Sequence, residues 1–281
     1  MKLISPILAA LSSLAWICAA NAGCATDEEP CLVETGSYHI ALPEPAEGSG
    51  QSSSRPAIIW LHGAGGTGRG AMRNTGMVEA VLQRGYAFIA ANGKEREGRF
   101  GTGWYFHPDW PKERNEIAFL KSVSADAVNR HGVDPERIIL AGFSIGGSMT
   151  SYVACADPKA FAAFAPVAGS FWRPHPTDCS GQVRLLHTHG WRDTTVPLEG
   201  RPLRGGAIFQ GDVWLAMQIW RAENGCKNLR PDSFEIGEQF WRRKWESCDP
   251  GTALEFALHA SAHGIPRGWA TMVIDWFEGL D

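Results

Sequence analysis

The 281-residue chain predicts an α/β fold in three layers, α-β-α: a mostly parallel sheet with helices on both faces, in a single domain. Three observations predict it. Ala57-Ile58-Ile59-Trp60-Leu61 and Tyr86-Ala87-Phe88-Ile89-Ala90 are unbroken apolar runs, the pattern of strands buried on both faces. Such runs alternate with helical patterns along the chain, which calls for right-handed crossovers between parallel strands. No internal repeat or low-complexity linker divides the chain into smaller units.

The elements follow in order. Lys2, the apolar stretch Leu3 to Ala20 and the small-residue site Ala20-Asn21-Ala22 form a secretory signal peptide over 1–22, leaving 23–281 as the folded domain. Ser5, Pro6, Ser12 and Ser13 interrupt the stretch and argue against an uncleaved membrane anchor. Asn21 fits poorly before a lipidated Cys24, so a lipoprotein is the lesser reading. Ser37 to Leu42 alternates like an edge strand, and Pro43 to Pro56 reads as a loop. After the Ala57 strand a helix is expected over Gly70 to Arg84, then the Tyr86 strand, then an irregular stretch from Gly93 to Pro111. A helix over Asn115 to Arg130 ends at Gly132-Val133-Asp134-Pro135. Arg137 to Ala141 is the next strand, and Ser148 to Ala156 a helix of small residues suited to close packing. Phe161 to Ala168 and Val183 to His187 read as strands, Gly211 to Asn224 as an amphipathic helix, Leu254 to His259 as the last strand and Trp269 to Gly279 as the last helix.

Composition narrows the function. Hydrophobic content of 44% and charged content of 20% are those of a globular protein, and a net charge of −4 gives no reason to expect nucleic acid or an anionic membrane as partner. Signal cleavage removes Cys18 from the seven cysteines and leaves six. An even count in an exported chain suggests disulfides. Many pairings are open; sequence proximity favours Cys24–Cys31 and Cys226–Cys248, which leaves Cys155–Cys179. No close Cys-x-x-Cys pair or Cys/His cluster has zinc spacing.

The chemistry centres on Gly142-Phe143-Ser144-Ile145-Gly146-Gly147, directly behind the Arg137 strand. A strand that ends in Gly-x-Ser-x-Gly and becomes a helix is the nucleophile elbow of an α/β-hydrolase fold, where glycines two before and two after the serine permit the tight turn. In that fold the acid follows the serine and a histidine comes last. Asp193 lies in a loop just past the Val183 strand, where α/β sheets place catalytic groups. Two late histidines compete for the base. His259 ends a strand, whereas His263 lies in the flexible loop Ala260 to Pro266 and is better placed to reach Ser144. His263 would take the Ser144 proton and return it to the leaving alcohol, with Asp193 orienting the ring. The oxyanion hole would use the N–H of Ile145 and that of Ala64, which lies between glycines after the Trp60 strand. His62 is expected to brace that loop. Twelve tryptophans are many for this length; Trp104, Tyr105 and Trp172 lie on loops that could border the cleft and grip an acyl or aryl group.

Together these segments resemble the polyhydroxybutyrate depolymerase and feruloyl esterase group of exported esterases. The resemblance rests on Leu61-His62-Gly63-Ala64-Gly65-Gly66, the Gly142 to Gly147 elbow, His189-Gly190-Trp191-Arg192-Asp193-Thr194-Thr195-Val196-Pro197 and the late His263. Ser37 to Ile40, Gly132 to Arg137 and Asn224-Gly225-Cys226 are also similar. It implies hydrolysis of carboxylic esters through an acyl-serine intermediate, without metal or cofactor, by a secreted or periplasmic enzyme. Two departures concern the cleft: Ser261-Ala262-His263-Gly264-Ile265-Pro266-Arg267 stands where such enzymes often have Gly-Gly-His-x-Trp-Pro-Gly, and Asn115-Glu116 where paired aspartates are frequent. Depolymerases that attack solid polyester usually add a binding domain; none is read here, so soluble hydroxyalkanoate oligomers or small esters are the expected substrates. Feruloyl or acetylated-xylan esters are the nearest rival, and a peptidase or thioesterase could use the same triad. A metal hydrolase built on His187, His189 and Asp193 lacks a further ligand, and a non-catalytic binding protein would ordinarily have lost a triad member.

Overall fold

The computed structural model describes residues 24, 29–44, 54–95, 101–110 and 112–280. The expected signal peptide over 1–22 lies outside these residues, as does most of the expected loop before Pro56. Among the described residues ten strands form one sheet: β1 Cys31–Val33, β2 Gly36–Ala41, β3 Arg55–Leu61, β4 Ala87–Ala91, β5 Val133–Phe143, β6 Ala163–Val167, β7 Arg184–Gly190, β8 Ser233–Ile236, β9 Trp241–Trp245 and β10 Ala253–His259. Their spatial order is β1-β2-β4-β3-β5-β6-β7-β10-β9-β8. The six from β4 to β10 are parallel, and an antiparallel pair flanks them on each side.

Among the described residues six α-helices cover the sheet: α1 Gly68–Met72, α2 Thr75–Gln83, α3 Glu116–His131, α4 Ile145–Ala156, α5 Val213–Glu223 and α6 Trp269–Glu278. Side chains of α3, α4 and α5 join one apolar core, built on Phe119, Val153 and Trp220 against Ile59, Leu140 and Leu185. Those of α1, α2 and α6 join the other, with Met72, Val81 and Trp269 against Ile58, Trp60 and Leu186. Alternate residues of β3, β4 and β6 thus feed opposite cores, which is why these strands are apolar on both faces.

Local signals set the helix ends. Asn115 caps α3 by accepting the Ala118 N–H at 3.1 Å, and Gly132 ends it in the left-handed region at φ 64°. Asp212 caps α5 through the Leu215 N–H at 3.1 Å. The helix expected over Gly70 to Arg84 is two helices, because the backbone of Asn74 leaves the helical region. The strand expected at the sheet edge, β2, lies one place in, with β1 paired outside it. Beyond β10 the hairpin β8–β9 extends the sheet. Its lack of an apolar run has a lateral cause: Arg242 pairs with Glu255 and Glu235, and Lys244 with Glu235, across neighbouring strands.

Three disulfides close the described cysteines as Cys24–Cys31, Cys155–Cys179 and Cys226–Cys248, the pairing that sequence proximity favours. The second ties α4 to the segment before β7.

Candidate active site

Ser144 stands between the end of β5 and the first residue of α4, with φ 57° and ψ −119°. A positive φ costs a non-glycine residue on the order of 1–3 kcal/mol and persists only where the surroundings impose it. Here they do. The Ser144 N–H donates to Val167 O at 2.9 Å, and its C=O accepts the Ser148 N–H at 2.9 Å. The glycines are required by close backbone. A Cβ on Gly142 would lie 2.5 Å from Gly146 O, and one on Gly146 would lie 2.1 Å from Leu61 O. Ser144 itself is half-buried, at the start of a helix whose free N–H groups favour negative charge.

The acid and base loops follow β7 and β10, which are parallel neighbours. Asp193 and His263 are brought together, with His263 Nδ1 donating to Asp193 Oδ2 at 2.7 Å. The other oxygen, Oδ1, accepts the N–H groups of Thr195 at 2.9 Å and Val196 at 2.8 Å. Burial works to raise the Asp193 pKa. The hydrogen bonds from His263 and Val196, with the nearby His263 and His189, outweigh it and hold the carboxyl below its ordinary range. The loops are also laced together: Trp191 N–H donates to His259 O at 2.7 Å, Arg192 N–H to Ser261 O at 3.2 Å and Arg192 Nε to Ala260 O at 2.7 Å. Gly190 makes that approach possible, since a Cβ there would lie 2.4 Å from Ala262 O. The His263 ring rests on Phe143, the residue before Ser144, with centroids 4.7 Å apart. His259, the rival base, is buried at the strand end and makes no such pair.

The third loop, after β3, comes up to the serine with its backbone. A Cβ on Gly63 would lie 3.5 Å from Ser144 Cβ. His62 braces this loop: its Nδ1 donates to Gly63 O at 2.8 Å, and its Nε2 accepts the Gly93 N–H at 2.9 Å. Burial lowers its pKa, consistent with a neutral ring that accepts at Nε2. The Gly65 N–H goes to Thr102 O at 3.0 Å and the Gly66 N–H to Gly63 O at 3.1 Å. Among the described residues, the Ala64 and Ile145 amides have no hydrogen-bond acceptor.

The aromatic residues expected at the cleft divide. Trp104 is fully buried and donates from Nε1 to His62 O at 2.9 Å, so it holds the His62 loop from beneath instead of facing a ligand. Trp172 is also buried, with Nε1 donating to Ser148 Oγ at 3.3 Å and its ring edge-on to Phe106 and Trp110. Tyr105 is half-buried, and its N–H is held by Glu116 Oε1 at 3.0 Å. That carboxylate also takes Arg114 Nη2 at 2.7 Å, a buried ion pair that anchors the segment bearing Trp104 and Tyr105. Sequence reasoning missed this anchor, along with Phe143 as the seat of His263 and Gly190 as the gap between loops. Their roles come from contacts between segments distant in sequence.

His187 and His189 do not open toward an ion. His187 Nε2 lies 3.0 Å from His189 Nδ1, and His189 Nε2 lies 2.8 Å from Val196 O. Among the described residues, the one group of ligating atoms close enough for a metal is Cys24, Cys31 and His131, whose sulfurs form a disulfide.

A strained serine on a strand-to-helix turn, with a paired aspartate and histidine on later loops and the histidine ring resting on the residue before the serine, defines an α/β-hydrolase arrangement. The family described as phospholipase/carboxylesterase matches residues 45–203, more than half of the 281-residue chain, and the chain belongs to that family. It is similar to poly(3-hydroxyalkanoate) depolymerase C of Paucimonas lemoignei, 27% identical over 228 residues that cover 78% of this chain and 53% of the relative. Feruloyl esterase B of Piromyces equi is 28% identical over 234 residues, covering 76% of this chain and 41% of the relative. The chain spans about half the length of these curated relatives. Among solved structures, an acetyl xylan esterase from Aspergillus awamori superposes with a TM-score of 0.62 at 15% identity, covering 87% of this chain and 94% of that one. Esterase PE8 superposes with a TM-score of 0.55 at 18% identity, covering 88% and 99%. At such identities the likeness is one of fold. The chain thus has the α/β-hydrolase fold and belongs to the phospholipase/carboxylesterase family, and the relatives it is similar to include a poly(3-hydroxyalkanoate) depolymerase and a feruloyl esterase.

Proposed function

We propose that the protein is an exported serine carboxylic-ester hydrolase that works through an acyl-serine intermediate on hydroxyalkanoate esters or oligomers. The Asp193–His263 hydrogen bond at 2.7 Å, formed between loops 70 residues apart, is the observation that carries this reading. With Nδ1–H committed to Asp193, His263 has Nε2 as its acceptor, the atom a general base needs. Ser144 Oγ attacks the ester carbonyl and gives its proton to Nε2. The oxyanion is met by the N–H groups of Ile145 and Ala64, the helix N-terminus adding to the field. Collapse breaks the C–O bond and His263 returns the proton to the leaving alcohol. Water then repeats the sequence to free the acid and Ser144. No step calls for a metal or organic cofactor. Tyr105, half-buried, is the aromatic candidate for the acyl group. Export is supported by three disulfides, which persist in oxidising compartments.

The depolymerase relative aligned over 78% of the chain favours hydroxyalkanoate esters. Feruloyl or acetyl-xylan esters are the second reading, favoured by a feruloyl esterase that is 28% identical over 76% of the chain. Initial rates on 3-hydroxybutyrate oligomers, methyl ferulate and acetylated xylan separate them. Turnover of the oligomers with the highest kcat/KM is expected, together with its loss in Ser144→Ala. Absence of oligomer hydrolysis beside rapid release of ferulate or acetate would transfer the assignment to the second reading.

A further inference from the structure

His189, on β7 four residues before Asp193, is fully buried, and its Nε2 faces two oxygens of the acid loop. It lies 2.8 Å from Val196 O and 3.5 Å from Asp193 Oδ2, the oxygen that holds His263. Both atoms are acceptors, so Nε2 carries the proton and Nδ1 is an acceptor. His187 meets that need, its Nε2 lying 3.0 Å from Nδ1 with the two rings stacked 10° from parallel. One direction of donation runs through the pair, from His187 to His189 to the acid loop.

The loop closes on itself through the same residues. Val196 gives its N–H to Asp193 Oδ1 and receives His189 at its C=O. Asp193 is thus held from the loop side by Thr195 and Val196, while His189, 3.5 Å from Oδ2, fixes Val196 from the strand side. Two fully buried imidazoles are a costly way to fill space. His187 Nδ1 has no partner among the described residues, and an unsatisfied buried polar atom is destabilising. A core chosen for packing alone would place apolar side chains here.

We propose that His189, itself oriented by His187, is a positioning residue that keeps Asp193 Oδ2 aimed at His263. This deepens the proposed reading and rests on the Asp193–His263 pair being the working acid and base. The ring acts as a neutral donor. Burial lowers its pKa to about 4, against the opposing effects of the Val196 hydrogen bond and Asp193, with His263 and His259 the other titratable groups around it. Burial likewise holds His187 neutral.

The test compares wild type, His189→Phe, His189→Gln and His187→Phe by steady-state hydrolysis of p-nitrophenyl butyrate and by the downfield proton resonance of the Asp193–His263 hydrogen bond. Rates are normalised to folded protein by circular dichroism. Misplacing a catalytic group by about 1 Å costs on the order of a hundredfold in rate. Accordingly His189→Phe should lower kcat about tenfold to hundredfold with KM within twofold of wild type, and displace the resonance. His189→Gln, which keeps an N–H donor, should recover most of both. If His189→Phe does not fold, His187→Phe carries the test, with a several-fold fall in kcat and a displaced resonance expected. Wild-type kcat and resonance in the folded variants, or losses equal to the unfolded fraction alone, overturn the proposal. Asp193→Asn serves as the control for the underlying reading: full activity there would remove the acid itself, whereas an inactive Asp193→Asn beside a normal His189→Phe would remove only the role of His189.

Discussion

Ser144 is held by neighbours that leave its backbone no room. Gly169, just after β6, is among them: a Cβ there would lie 1.9 Å from Ser144 O and 2.7 Å from Ser148 N. Neither contact involves a movable side-chain end, so the elbow would have to shift. Gly169→Ala should therefore destabilise the fold by about 1–3 kcal/mol in urea unfolding and lower kcat more than KM, because the serine moves with the clash. Unchanged kcat in the folded variant would show that the elbow tolerates the shift. Gly142 and Gly146 were legible in the sequence because the Gly-x-Ser-x-Gly spacing is local. Gly169 and Gly190 were not, since the atoms that crowd them belong to other segments. Trp104 shows the same limit from the other side. A tryptophan on a loop reads as a cleft wall until its Nε1–H is seen to support His62 O.

At the scale of elements, the segment from Thr102 to α3 is shaped by one buried ion pair. Glu116, at the first residue of α3, holds Arg114 and the Tyr105 N–H, while Arg114 lies 3.8 Å over the Phe119 ring and donates to Asn92 O. Removing one partner strands the other charge in the core. Glu116→Ala should cost about 3–5 kcal/mol in chemical denaturation, and Glu116→Gln less because an acceptor remains for Tyr105. A loss within experimental error in Glu116→Ala would show that water replaces the carboxylate. The parallel strands and long helices were readable from apolar runs, caps and Gly132. The outer strands β1, β8 and β9 were not. Their stability comes from lateral pairing of charges and backbone, which leaves no apolar periodicity to read.

For the molecule as a whole, two apolar cores clamp a sheet whose carboxyl end carries every candidate catalytic loop. Chain order alone placed Ser144, Asp193 and His263 at that end, because a parallel sheet with right-handed crossovers returns each strand's end to one edge. What the sequence could not supply was how the loops lock together, and the substrate, which depends on cleft side chains rather than on the catalytic order. Burial also makes the molecule sensitive to acid. His62, His187, His189 and His259 all have pKa values lowered by burial, whereas unfolded histidine titrates near 6.5. Below about pH 6.5 the unfolded chain binds protons that the folded one refuses, so stability present above that pH is lost as the pH falls toward about 4, where His189 titrates. Asp193, held low, adds a loss in the same direction at still lower pH. Scanning calorimetry should show a Tm that is level above pH 7 and falls steadily between pH 6.5 and 4; a level Tm down to pH 4 would mean that these rings protonate in place. Active-site labelling asks whether Ser144 is the nucleophile. The protein is treated with a fluorophosphonate and mapped by peptide mass spectrometry. One adduct per chain is expected, on Ser144, with esterase activity lost in proportion. An adduct on another residue that tracks the loss of activity, or full activity with Ser144 labelled, would contradict it.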